Sequence, residues 1–222
     1  VRFLTGNIIG MPTDNDALLV LLTNNPDFPE YQLPSDTKLR IWVGSWRKGL
    51  SWNHSKTLAV DGKYLFQGGH NVWDAHYLQK NPVRDLSMEA EGRVAQDAHV
   101  FANRMWTFVS DEDRESIVQG TLPDWVPLLS PTRIGITHWP ETVGEYPPLY
   151  EPAAEALSLP MAHQQGDVPM ITIGSYGGLH SNEATANPSD AAITAMFGSA
   201  QSSIKMSVQD LGPVAVPLGG QL

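Results

Sequence analysis

The sequence contains no cysteine, which excludes a disulfide framework, a cysteine-based zinc site and a thiol nucleophile together. That absence leaves the compartment open, because secreted enzymes can also lack cysteine. Basic charge is scarce too: 14 Lys and Arg stand against 24 Asp and Glu, a formal net charge of −10. Tracking a nucleic-acid backbone draws on clustered Lys and Arg, so no extended nucleic-acid surface is expected. A small basic pocket within an acidic surface stays open. Long apolar runs are missing as well. The longest aliphatic stretch, ALLVLL at residues 17–22, falls far short of the roughly 20 residues that span a bilayer, so at most peripheral membrane contact is expected. No charged segment followed by an apolar one precedes the strand-like Arg2-Phe3-Leu4, and the first residue is Val1. A targeting signal has therefore been removed or never existed, and a processed, secreted chain is favoured over a cytoplasmic one. No internal repeat is visible.

What remains is enough for a core, since 222 residues can bury one or two domains. Residues 1–6 read as a short strand, and Asp14 or Asp16 can cap a helix through 17–23. Pro26, Pro29 and Pro34 make 24–36 a loop. Residues 38–44 (KLRIWVG) read as a strand rich in β-branched and aromatic residues, with 45–51 as a connection. Strand-like runs at 57–60 and 63–67 flank Asp61-Gly62, a strong hairpin signal because Gly tolerates the positive φ of a tight turn. Residues 72–79 read as a helical turn or loop, and 83–91 as a strand. Apolar residues at Val94, Ala95, Ala98, Phe101, Ala102, Met105, Trp106 and Val109 have the spacing of a core-packed helix over 92–109. This order gives an α/β class, helices packed on a sheet. Nine prolines between 123 and 169 make 119–187 an ordered, loop-rich insertion. Ser189 caps a helix through 190–200, and 203–208 (SIKMSV) read as a strand. The expected division is a motif-bearing domain at 1–118, a Pro- and aromatic-rich insertion at 119–188, and a helix and strand opening a second lobe at 189–222.

The chemistry is concentrated at residues 53–71, NHSKTLAVDGKYLFQGGHN. His54, Lys56 and Asp61 stand at H-x-K-x4-D spacing, followed by Gly68, Gly69 and Asn71 as G-G-x-N. Alternation along a strand projects His54 and Lys56 from one face. A neutral imidazole can attack phosphorus or pass a proton, and an adjacent ammonium can hold phosphoryl oxygens. Gly68-Gly69 would let the backbone approach an anion, and the Asn71 amide could donate to it. Six fixed residues would coincide in roughly a few per million chains of this length, so the pattern outweighs an ordinary hairpin. It outlines a phosphodiester site. Weaker features carry less. His70, Asp74 and His76 fit no zinc template, so no metal is expected. Gly174-Ser175-Tyr176-Gly177-Gly178 fails the nucleophile-elbow pattern and reads as a tight turn. His99 reads as a core or rim residue of the long helix.

The motif resembles the signature of the phospholipase D superfamily, H-x-K-x4-D-x6-G-[GS]-x-N, at all six positions. The likeness continues through Pro82-Val83-Arg84-Asp85, Gly92, Ala95, Phe101 and Trp106, similar to the acidic strand and helix after the motif. Residues 199–210 resemble the segment that opens the second half of those enzymes. The resemblance implies a β-sheet sandwiched between helices and a two-step transfer without metal or cofactor. One motif histidine becomes a phosphohistidine while a second, from another motif copy, protonates the leaving alcohol. By resemblance the catalytic set is His54, Lys56 and Asp61, the last fixing the hairpin. Lys56, Gly69 and Asn71 would hold the phosphate of a phospholipid or another phosphodiester, and Asp85 would orient the His54 ring. The sequence departs from the pattern in one respect. His70, His76, His99, His138, His163 and His180 all lack H-x-K, so only one motif is present. A second motif-bearing chain or a C-terminal half of the same enzyme is therefore the expected partner. The half-enzyme reading is favoured, with a dimeric nuclease-like enzyme and a non-catalytic anion- or partner-binding domain as alternatives.

Overall fold

A computed structural model describes residues 1–8, 12–34, 36–48, 51–71, 75–110, 133–141, 168, 170–174 and 189–206. The observed class is mixed α/β. Among the described residues the strands fall into two sheets, where a single sheet was expected.

The first sheet is built on β2 (Ile41–Lys48), which pairs in parallel with β1 (Arg2–Gly6) and antiparallel with β7 (Arg133–Trp139). The two-residue strand β3 (Ser51–Trp52) turns back onto Arg47 and Lys48. Since β7 occupies the other edge of β2 as far as Arg47, β3 takes up the edge that β1 leaves at Gly6. The second sheet is an antiparallel meander of β4 (Thr57–Val60), β5 (Tyr64–Gly68) and β6 (Ser87–Glu91).

Helix α2 (Arg93–Ser110) serves both sheets. Its first half sets Ala95 and Ala98 on Leu65 of β5, and its second half sets Met105, Phe108 and Val109 on Trp46 of β2. Burying Leu65 alone is worth about 2 kcal/mol, and the Trp46 and Phe108 rings meet edge to face at 5.4 Å. Gly44 is required by this packing, because a Cβ there would lie 3.1 Å from both Trp106 and Leu4. The next residue, Ser45, points to the opposite face. There Gly135 lies against Asn15 of α1 (Asn15–Thr23). The cap of α1 is Asp14, whose Oδ1 accepts from Ala17 N–H at 3.0 Å, a bond worth about 1 kcal/mol. A third helix, α3, covers Ser189–Ser199. No described helix is long and apolar enough to cross a membrane.

Several expected boundaries move. Strand β2 starts at Ile41 rather than 38, because Thr37 Oγ1 accepts from Leu39 N–H and holds that segment in a turn. It runs on to Lys48 because Ser45 and Arg47, read as a connection, are buried in the central strand. Strand β6 starts at Ser87 rather than 83; Val83 and Leu86 are exposed before it. The region expected to be loop contains β7, whose RIGITHW stretch lies between Pro131 and Pro140 rather than being broken by them. Residues 203–206 are not in a strand, with Ile204 and Met206 exposed; 207 and 208 lie outside the described residues, as does most of 119–188.

Candidate functional site

The chain enters the motif from β3 through Asn53, which is tied to the first sheet. Asn53 Nδ2 donates to the Leu4 carbonyl at 2.8 Å, and Oδ1 accepts from Ser55 N–H at 3.2 Å and Ser55 Oγ at 2.7 Å. Gly6 makes room for this approach: a Cβ there would overlap the Asn53 carbonyl oxygen and sit 2.6 Å from Trp52 Cδ1. His54 and Lys56 follow before β4 begins. Lys56 Nζ donates to the His54 backbone carbonyl at 2.9 Å, so the ammonium folds back onto the main chain of the histidine. Partial desolvation, and then the Lys56 charge, lower the pKa of His54 although the residue is exposed. Desolvation also lowers the pKa of Lys56, opposed by the Asp85 carboxylate. The result is a neutral imidazole beside a cation, the pair that nucleophilic attack on a phosphodiester calls for.

The hairpin turn lies at the other end of β4. Asp61 and Gly62 both have positive φ, 53° and 61°, the conformation that an Asp-Gly mirror-image turn requires. Gly62 N–H donates to His99 Nδ1 at 3.2 Å, pinning the turn to α2. Nδ1 as acceptor means a neutral ring, and burial first, then Arg2, lower the His99 pKa against the pull of Asp61. Five residues at about 3.3 Å each separate Asp61 from Lys56, roughly 16 Å. Asp61 belongs to the turn, away from His54 and Lys56.

At the near end of the hairpin, the two glycines seat β6 and the loop before it. A Cβ on Gly68 would overlap Ser87 Oγ and lie 2.5 Å from Ser87 Cα, and one on Gly69 would lie 2.8 Å from Asp85 Cγ. Their N–H groups donate to the carbonyls of Lys56 and Leu86, at 3.2 and 3.0 Å. The close approach is thus to Asp85 and Ser87, and the Gly69 N–H is already engaged rather than open to an anion. Asn71 N–H donates to Tyr77 Oη at 3.0 Å, and Tyr77 Oη donates to Asp85 Oδ2 at 2.5 Å. No hydrogen bond joins Asp85 to His54 among the described residues. The carboxylate faces Gly69 and Tyr77, and its charge is felt at Lys56.

The structure therefore links Gly69 and, through Tyr77, Asn71 to Asp85, whose charge acts on Lys56, and links Lys56 to the His54 backbone, leaving Asp61 apart. Sequence reasoning missed Tyr77, which sits in a short 3-10 turn (Ala75–Leu78) with no motif signal. It also missed the pair His70 and Ser87, joined Nδ1 to Oγ at 2.6 Å, with the His70 ring 5.1 Å from that of Tyr77. Asn53 was legible in principle, because Asn two residues before Ser is a common side-chain-to-backbone turn. Among the described residues no group of three or more His, Asp or Glu side chains converges as a metal site; Asp74 and the His76 side chain lie outside them.

No protein-family model matches the chain. It is 29% identical over 205 residues to a phospholipase D of Streptomyces antibioticus, a match that takes in 78% of this chain and 34% of that protein. It is 36% identical over 64 residues to the probable cardiolipin synthase YwiE of Bacillus subtilis strain 168, covering 27% of this chain and 13% of that one. The chain thus spans about a third of the length of the first relative. These two similarities support a place for the chain in the phospholipase D superfamily.

Proposed function

We propose that this chain carries one of the two catalytic motifs of a phospholipase D-type phosphodiesterase that acts on the phosphatidyl group of a phospholipid. The observation that supports it most is the pairing of His54, held toward its neutral form, with Lys56, whose ammonium bonds the His54 backbone carbonyl and whose charge acts on the ring. In this reading a ring nitrogen of His54 attacks phosphorus while the bond from phosphorus to the leaving alcohol breaks. The departing oxygen takes its proton from an imidazolium of the second motif. Water or an alcohol then attacks the phosphohistidine, the N–P bond breaks, and the second histidine recovers a proton. Lys56 Nζ and the Asn71 side-chain amide hold the non-bridging oxygens as charge builds on them. Asp85 acts on Lys56, and Asp61 fixes the turn. The second motif comes from another chain or from a C-terminal half of the same enzyme. Packing of α1 and α2 on opposite faces of β2 supports a sheet sandwiched between helices.

The single H-x-K in the sequence favours a second reading, a domain that binds an anion or a partner chain without turnover. Trapping separates the two. Incubation with a labelled phospholipid, alone and with a chain carrying a second motif, followed by quenching, is expected to leave acid-labile phosphate on His54. No label under either condition would sink the enzymatic reading.

A further inference from the structure

We propose that Asn53 is the positioning residue of this site, fixing the His54 imidazole relative to Lys56, with Gly6 as its seat. The proposal rests on the reading of His54 as the reacting group, yet its geometry is independent of that reading. Residues 53–56 lie between β3 and β4 and belong to no strand, so no sheet ladder sets the backbone of His54. Two side chains replace the ladder. Lys56 holds the His54 carbonyl from the C-terminal side. Asn53 acts from the N-terminal side, gripping the Leu4 carbonyl with Nδ2 and Ser55 with Oδ1. Leu4 in turn packs against the buried cluster around Trp46, so the grip reaches the rigid part of the first sheet.

The chemistry selects the residue type. Asn53 donates and accepts at once, through two separate atoms and without charge: Nδ2 toward Leu4 and Oδ1 toward Ser55. Aspartate would keep the acceptor for Ser55 and turn a carboxylate toward the Leu4 carbonyl. Alanine would keep neither. Gly6 supplies a second, separate observation. Any side chain there would overlap the Asn53 backbone carbonyl oxygen, so β1 is shaped to let the main chain of residue 53 come close, which brings its side chain within reach of the Leu4 carbonyl. The consequence is a clamp in which the β1 end, Asn53 and Lys56 together hold His54.

The test uses the chain itself, labelled for NMR of its imidazole nitrogens, as wild type, Asn53→Ala, Asn53→Asp and Gly6→Ala. Lys56 is the charged group acting on His54, and it is left in place in every variant. In the wild type His54 is expected to titrate below the ordinary value of about 6.5. In Asn53→Ala and Gly6→Ala it is expected to move up toward that value as the ring moves away from Lys56 and loses its remaining shelter from water. His99, held on α2 by Gly62, serves as an internal reference and is expected to keep its titration. Where Asn53→Ala does not fold, Gly6→Ala, which leaves every side chain of the grip in place, is read on the same resonances; Asn53→Asp, whose carboxylate would itself raise the His54 pKa, is read by labelling alone. Labelling of His54 by phospholipid is expected to fall on the order of a hundredfold in the two displaced variants, the loss typical of a small misplacement. A His54 that titrates alike in wild type and both displaced variants, with His99 unchanged, overturns the proposal. A wild type that takes no label while His54 shifts as described leaves Asn53 as its positioner and overturns the phosphohistidine reading instead.

Discussion

Tyr77 holds Asp85 by a hydrogen bond of 2.5 Å from its hydroxyl to Oδ2, while the same hydroxyl accepts from the Asn71 N–H. One phenolic oxygen thus joins the last residue of the G-G-x-N run to the carboxylate that acts on Lys56. Tyr77→Phe removes donor and acceptor together and leaves the Asn71 N–H to water. A loss of about 1–2 kcal/mol is expected, to be read as a shift in denaturant midpoint at constant slope. A midpoint equal to wild type would show that the network contributes nothing to stability.

The two motif glycines are expected to differ in tolerance. At Gly68 an added Cβ meets the Cα of Ser87 at 2.5 Å, which is backbone within a sheet. At Gly69 it meets the end of the Asp85 side chain, which is exposed and can turn away. Gly68→Ala is therefore expected to destabilise by about 1–3 kcal/mol, and Gly69→Ala by less. Equal unfolding midpoints for the two variants would contradict the packing described for β5 and β6.

Acid is expected to weaken the fold through two histidines. His54 and His99 both have pKa values lowered by desolvation, so the unfolded chain binds protons more readily than the folded one. Stability then rises with pH from the lowered folded values up to about 6.5, and is flat with respect to these groups above that. Denaturant unfolding across pH 5 to pH 8 measures the slope, and replacing His99 by Gln is expected to reduce it. The sign follows from the imidazoles being neutral in the fold. A slope of the opposite sign would mean that they are held as cations.

Placement also separates the motif residues in the effects expected of their variants. His54→Gln is expected to abolish covalent labelling, and Lys56→Ala to reduce it by about 10²–10³, the range for removing a preorganised charge-stabilising donor. Asp61→Asn should reduce it by less than tenfold, because Asn also adopts the left-handed conformation of residue 61. Its effect should fall on thermal stability instead. Labelling that drops as far in Asp61→Asn as in Lys56→Ala would return Asp61 to the reacting centre.

Much of this arrangement was legible in the sequence where local chemistry decides it. The Asp61-Gly62 turn, the Asp14 cap and the apolar stripe of α2 declare themselves within a few residues, and α2 lies within one residue of its expected limits. Strand β7 was not legible, because proline density in the surrounding region masked a seven-residue strand whose partner, β2, lies about 90 positions earlier in the chain. Ser45 and Arg47 misled for a related reason: polar residues look like a connection unless the strands on both sides are known. In the site, the sequence supplied His54, Lys56, Asn71 and Asp85 but not their pairings. The family resemblance singled out Asp85 and expected it at the His54 ring; the approach of Gly69, the reach of Tyr77 and the effect of its charge on Lys56 set it toward Lys56 instead.

The bond from Asn53 to Leu4 closes a loop across 49 positions, whereas the pairings of β4, β5 and β6 join neighbours in sequence. Loop-closure entropy favours the short meander first and the long connection later. The hairpin that bears Lys56 is thus expected to assemble ahead of the strand that steadies His54. On that order the placement of His54 relative to Lys56 is completed in the last stage of folding, and a chain halted part-way would display the motif in full with its histidine not yet set.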